Sequence, residues 1–370
     1  MIYADNAATT QLDIDALNEM KRFMLDFYGN PSQSYSFSRE TKKAIKESRE
    51  TIANCIGAAP DEIFFTSGGT ESDNWALKGF VKKQEKKRVI VSSIEHHAVL
   101  HTAESLKREG YEVCLLDVTN EGIILPSMLK SEINNDTAVV SVMLANNEVG
   151  SIQPVAELAE IAHGFGAAFH TDAVQAVGHI EVDVRILGVD MLSASAHKFN
   201  GPRGIGFLYI KKGIELYPFM DGGAQEKAMR AGTENVPAIV GMSIALKKSC
   251  ESISEEKMRL KNLEDELISG LKQNNLDFIR NGAENHLPGN VNISFRDSDG
   301  EMLLHRLDLM GIYVSTGSAC DSKNTQVSHV IKAMGVPEEY AKGTIRISFG
   351  KDNTLEDVRE IVDSLTKILS

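Results

Sequence analysis

Three short runs in this chain hold residue types that could bind and activate a small charged molecule. The first, Thr66-Ser67-Gly68-Gly69-Thr70-Glu71-Ser72, follows a β-rich stretch and opens a helical pattern. Glycines, hydroxyls and the free N–H groups of a helix start converge there, which makes an anion cradle. The run reads equally as an ordinary N-cap with Glu71 in the first turn. It is not a nucleotide P-loop, because no Gly-Lys-Ser/Thr follows. The second run, Phe169-His170-Thr171-Asp172-Ala173-Val174-Gln175, sets an acid at the carboxyl end of an apolar strand. A buried carboxylate needs a cationic partner, and a protonated ring nitrogen would serve. A capping role accounts for Asp172 but not for Gln175 one turn later. In the third, Ser193-Ala194-Ser195-Ala196-His197-Lys198, a lysine lies between a strand and the Gly201-Pro202 turn. Loop lysines are usually just solvated, but Ser195 and His197 could donate hydrogen bonds to a phosphate here. A lysine beside an aldehyde cofactor is the Schiff-base arrangement.

These runs need a scaffold that brings them together, and the pattern between them supplies one. From Glu62 to Ile210, short β-rich runs alternate with helical patterns: Glu62 to Thr66, Arg88 to Ser92, Glu112 to Leu116, Ala138 to Leu144, Ala168 to Thr171 and Asp190 to Ala194. Intervening stretches such as Val155 to Phe165 carry apolar residues at helical spacing, as a βαβ crossover requires. The expected architecture is α/β, a helix-covered and mainly parallel sheet with ligand atoms gathered at the carboxyl ends of its strands. After Pro237 the composition shifts. Two long helical patterns, through Lys247 and from Glu255 to Gln273, lead into a smaller α+β set. That set contains Asn290 to Phe295, a helix from about Gly300 to Met310, Thr344 to Phe349 and an amphipathic helix from Leu355 to Leu369. The expected division is a large domain over 1–250 and a small one over 251–370, with segment 1–15 packing near the small domain.

Composition narrows the function classes. The chain has 370 residues, 42% hydrophobic and 25% charged, as an ordinary globular enzyme would. With 39 basic and 52 acidic residues, its net charge of -13 disfavours direct nucleic-acid binding. No run of 18 apolar residues occurs and the start lacks a basic or apolar leader, so no membrane association and a cytoplasmic location are expected. Cys55, Cys114, Cys250 and Cys320 are far apart, with no CxxC pair, which points away from a disulfide framework, a zinc knuckle or any metal centre. Cys55 and Cys114 sit in apolar patterns that read as inert core, and Cys250 reads as the end of a helix. Cys320, in the polar small-residue run Val314-Ser-Thr-Gly-Ser-Ala-Cys-Asp-Ser-Lys, suits a mobile thiol.

The anion cradle, the strand-end Asp172 and the downstream Lys198 are together the parts of a pyridoxal phosphate site. The chain resembles the fold-type I cysteine desulfurases, in the branch serving iron-sulfur cluster and thionucleoside synthesis, from Asp5-Asn-Ala-Ala-Thr-Thr to Arg346-Ile-Ser-Phe-Gly. The resemblance implies that Lys198 is the Schiff-base lysine, Asp172 the partner of the pyridine nitrogen and Gln175 that of the phenolic oxygen. In Ile94-Glu95-His96-His97-Ala98, it makes His96 the ring that stacks on the cofactor and shuttles a proton. Thr70, the Gly69 to Thr70 backbone, Ser195 and His197 would hold the phosphate. Asn147 and Arg346 would hold the carboxylate of L-cysteine, for which a bidentate arginine is well shaped. Cys320 would be the nucleophile that takes sulfur. The resemblance further implies a homodimer with Thr233 touching the cofactor phosphate across the interface, and a sulfur-acceptor protein, whether a cluster scaffold or a tRNA thiolase. A selenocysteine lyase or an aminotransferase would share Lys198 and Asp172 without needing Cys320, and a catalytically idle scaffold would need none of them. The chain departs from the family pattern at Gly222-Gly-Ala-Gln-Glu-Lys-Ala228, at Asp321 and Lys323 beside Cys320, and at Val327.

Overall fold

The computed structural model describes residues 1–317 and 327–370, so Cys320 lies outside the described residues. Seven strands form the large sheet. Their spatial order is Ile63–Thr66, Gly206–Ile210, Met191–Ser195, Ala168–Asp172, Thr137–Ser141, Arg88–Ser92 and Glu112–Leu116. Gly206–Ile210 runs antiparallel to both of its neighbours, and the remaining adjacent pairs are parallel. Five of these seven are buried at every residue, because helices cover both faces; this is why they read as apolar runs rather than alternating ones. One direction for six strands has a functional consequence. The segments leaving Thr66, Ser92, Ser141, Asp172 and Ser195 all emerge at the same edge of the sheet.

A second, three-stranded antiparallel sheet orders Thr344–Ser348, Asn290–Phe295 and Phe278–Asn281, with Asn292 opposite Arg346. Its apolar face, including Val291, Ile293, Ile345 and Ile347, packs under the helices Gly300–Leu309 and Leu355–Leu369. The latter starts in a capping box between Thr354 and Asp357. The two helices expected after Pro237 are a single helix, Val236–Gln273. Its apolar residues fall in two groups, Val236 to Leu246 in the large core and Leu260 to Leu271 in the small one. The Lys248 to Lys257 stretch between them has no fully buried residue, so its polarity records partial exposure and not a break. The expected boundary at 250/251 therefore falls inside one continuous helix.

The N-terminal segment crosses from one sheet to the other. Ile2–Tyr3 pairs in parallel with Ile312–Tyr313, and Asp5 bridges to Ser348. Further on, the backbone N–H and the hydroxyl of Thr10 both donate to the carbonyl of His197, at 3.0 and 2.9 Å. Among the described residues no helix is long and apolar enough to cross a membrane.

Candidate active site

A cavity of about 240 Å³ opens at the carboxyl edge of the large sheet. Ten residues singled out from sequence line it: Gly69, Thr70, His96, Asn147, Asp172, Gln175, Ser195, His197, Lys198 and Arg346. Thr233 does not; it is exposed, outside the cavity of its own chain.

The floor of the cavity is acidic and buried. Asp172 ends its strand and accepts the N–H of Val174 at 2.9 Å, while burial pushes its pKa up to about 6, opposed by that hydrogen bond and by the charge of Lys198. Asp73, from the first turns of the helix Gly69–Val81, is also buried, and burial together with the nearby Asp172 carboxylate raises it well above the usual range. His170 receives or gives hydrogen bonds at both ring nitrogens, to Ser141 Oγ at 2.8 Å and Ser193 Oγ at 3.0 Å. Burial lowers its pKa to about 3, so it is neutral. Its 3.6 Å approach to Asp73 is too long for a hydrogen bond. Glu95 accepts from Ser92 Oγ at 2.7 Å and Met143 N at 2.6 Å, and burial raises it to about 8. Two raised carboxyl groups and a neutral imidazole leave Asp172 as the floor acid nearest to ionising.

At one end the cavity meets the start of the helix Gly69–Val81, whose first N–H groups have no intrahelical acceptor. Gly68 there has a φ of 149°, and a Cβ on Gly69 would stand 2.6 Å from Val174 Cγ2, so a side chain there would have to displace Val174. Glu71 is held by Arg230 at 2.9 Å and accepts the backbone N–H of Ser67 at 3.1 Å. His197 is tied through Nδ1 to Thr9 Oγ1 at 3.2 Å, and burial, with Lys198 and Arg203 nearby, lowers it to about 4.

Lys198 reaches across the middle. Its Nζ donates to the carbonyls of Ala7 and Ala8, at 2.6 and 2.9 Å, and Gln175 Nε2 donates to the same Ala7 carbonyl at 2.9 Å. His96 caps the helix His97–Arg108, its Nδ1 accepting the N–H of Ala98 at 3.1 Å, which leaves Nε2 to carry the proton. Burial, then the charge of Lys198, lowers its pKa to about 4. Opposite, Arg346 is 1% exposed, in the middle of the edge strand Thr344–Ser348 of the small sheet. It donates to the Asn147 carbonyl at 2.8 Å and to Asp5 Oδ1 at 2.6 Å, while its Nε is buried without a partner. A guanidinium with donor capacity to spare beside a cavity is suited to a carboxylate.

Several residues of this site went unread in the sequence. Asp73 and Glu95 look like ordinary helix-start and loop acids until tertiary packing buries them. His179 donates from Nε2 to the carbonyl of Lys198 at 2.9 Å and so fixes the loop that carries the lysine. The Ala7 and Ala8 carbonyls are backbone groups that no side-chain motif announces. A larger cavity, about 290 Å³, lies on the far side of Ala7 and Gln175 against the long helix, without Lys198 or Asp172 in its lining.

The donor set fits pyridoxal phosphate: an unblocked helix start for the phosphate, a buried acid for the ring nitrogen and a lysine between them. Comparison with known proteins agrees. The family model for the class-V aminotransferases matches residues 2–361, and the chain belongs to that family, whose members depend on pyridoxal phosphate. It is 46% identical over its full length to the cysteine desulfurase IscS of Methanosarcina thermophila, covering 92% of that relative. Among solved structures, a NifS-like protein superposes with a TM-score of 0.94 at 39% identity, covering 100% of this chain and 99% of that one. The structure titled "SspA in complex with cysteine" gives 0.85 at 36%, over 94% and 99% of the two chains.

Proposed function

We propose that the chain is a pyridoxal phosphate-dependent cysteine desulfurase that converts L-cysteine to L-alanine and leaves the sulfur as a persulfide on Cys320. The observation that carries this reading is the meeting of Lys198 and Asp172 with Arg346 and Asn147 in one cavity. When bound, the cofactor supplies a ring that accepts the electron pair left as the substrate Cα loses its proton. The chain supplies the rest. Asp172 holds the proton of the ring nitrogen, and Gln175 donates toward the phenolic oxygen. The Gly69–Thr70 backbone, Thr70, Ser195 and His197 hold the phosphate. Arg346 and Asn147 orient the substrate carboxylate, which turns the Cα proton toward Lys198, the base. Neutral His96 would stack on the ring, with its Nε2 proton available to the reacting atoms. The Cys320 thiolate would then attack the substrate sulfur; a sulfur–sulfur bond forms as the carbon–sulfur bond breaks, the electron pair of that bond stays with Cβ, which takes up a proton to become the methyl group, and alanine leaves.

The protein works in this reading as a two-fold homodimer, with Thr233 of the partner subunit completing the phosphate end. The exposure of Thr233 outside its own cavity supports that role. The persulfide passes to an acceptor protein of cluster assembly or tRNA thiolation, in the cytoplasm. Incubation of the purified protein with L-cysteine tests the activity: alanine should form in step with transferred sulfur. Formation of the corresponding 2-oxo acid instead would make the protein an aminotransferase.

A further inference from the structure

Cys55 and Cys250 meet at a helix interface that plays no part in the site above. The helix Arg39–Cys55 lies against the first half of the helix Val236–Gln273. Contacts advance together along both: Ala44 and Ile45 pack with Val236 and Val240, Ser243 Oγ donates to Ser48 Oγ at 3.1 Å, and the thiols of Cys55 and Cys250 hydrogen-bond to each other. The step from serine to cysteine is the same in the two helices, 48 to 55 and 243 to 250, so the helices run parallel and the thiols share the rung two turns beyond the serines. Both cysteines are half-buried, and neither lines the cofactor cavity.

We propose that Cys55 and Cys250 form a dithiol modification site that reacts with small disulfides and closes to an intramolecular disulfide, stapling the two helices. The hydrogen bond from the Cys250 thiol holds Cys55 below its usual range, while Cys250 itself is pushed up by that bond and by burial. The two thiols therefore act as one coupled pair, one attacking and the other resolving. One thiolate of the pair attacks one sulfur of the small disulfide, forming a mixed disulfide and releasing the first small thiol. The other cysteine then gives up its proton and attacks the protein sulfur of that mixed disulfide, releasing the second small thiol. Two protein thiols are oxidised and one small disulfide is reduced. Cys114 is the internal control, since its thiol faces the Glu132 carboxylate at 3.4 Å and not another sulfur.

Holoenzyme equilibrated in a series of glutathione and glutathione-disulfide buffers, quenched with an alkylating reagent and mapped without reduction, decides the matter. A Cys55 peptide joined to a Cys250 peptide is expected, rising as the buffer becomes more oxidising, together with a higher melting temperature than in the reduced protein. In Cys250→Ser, Cys55 should stop at the mixed disulfide with glutathione, without the shift in melting temperature. Separate glutathione adducts on Cys55 and Cys250 in the unmodified sequence, or both thiols remaining open to alkylation throughout the series, would overturn the proposal. Mapping of the unmodified sequence is decisive even if the serine variant does not fold.

Discussion

Asp73 and Asp172 at the cavity floor, with Glu95 and His170 buried beside them, come from the strands of the large sheet and the turn or helix that directly follows a strand. At the rim, Lys198 is held by the carbonyls of Ala7 and Ala8, 191 and 190 positions away, and Arg346 by Asn147 and Asp5, 199 and 341 positions away. The floor acts by excluding water, which shifts proton affinities. The rim acts by position, because each reacting or binding group is pinned by a remote strand or by the crossing N-terminal segment. Changes at the floor should therefore appear in pH behaviour, and changes at the rim in substrate capture and turnover.

The largest effect falls at the rim. Lys198→Ala should abolish alanine formation from cysteine, and borohydride reduction of the unsubstituted holoenzyme should fix the cofactor on the Lys198 peptide. Recovery of the reduced adduct on another lysine would remove Lys198 from its role.

At the floor, Glu95 has a raised pKa in the folded chain, so the stability it contributes is fully present below its ordinary value of 4.5 and is lost as pH rises through about 8. Glu95→Gln, an isostere of the protonated form, should flatten that decline by on the order of a few kcal/mol between pH 5 and 9. Denaturant unfolding across that range measures it; parallel curves for the two proteins would show that Glu95 does not hold a proton in the folded state. Arg346→Ala should raise KM for cysteine roughly 10- to 100-fold, corresponding to the loss of about 1.5 to 3 kcal/mol of charge-assisted hydrogen bonding, with a lesser change in kcat. An unchanged KM would place the substrate carboxylate elsewhere.

The smallest effect lies outside both regions. Glu226, Lys227 and Ala228 are consecutive residues with φ of 45°, 60° and 61°, where the family resemblance places a glycine at position 228. Glu226 is anchored by Arg49 at 2.6 Å and by the N–H of Phe65 at 2.9 Å, so the loop holds Ala228 in a conformation that costs about 1 kcal/mol for a residue with a Cβ. Ala228→Gly should raise the unfolding free energy by up to about that amount, and a variant less stable than the parent would show that the loop is not strained there.

The same contrast explains how much could be read from the sequence. Asp172, Gln175, Lys198 and the Gly68-Gly69-Thr70 turn were legible because each lies in a local run following an apolar strand, whereas Asp73 and Glu95 on the floor were not, since only tertiary packing buries them. Arg346 and Asn147 drew their meaning from family resemblance, since nothing near them in sequence says that they meet. His179 and the Ala7 and Ala8 carbonyls were missed because they act on Lys198 through the backbone, and Cys250 was misread as a helix end because the polar stretch around it is exposed without being unwound.

Sulfur mapping after a single turnover is the most direct test of the account. Holoenzyme mixed with less than one equivalent of L-cysteine, quenched by alkylation and digested without reduction, should yield alanine in the amount of cysteine added. The peptide containing Cys320 should carry one extra sulfur, and the peptides of Cys55, Cys114 and Cys250 none. Alanine with the sulfur on one of those three cysteines, or cysteine consumed with no persulfide on the protein, would contradict it.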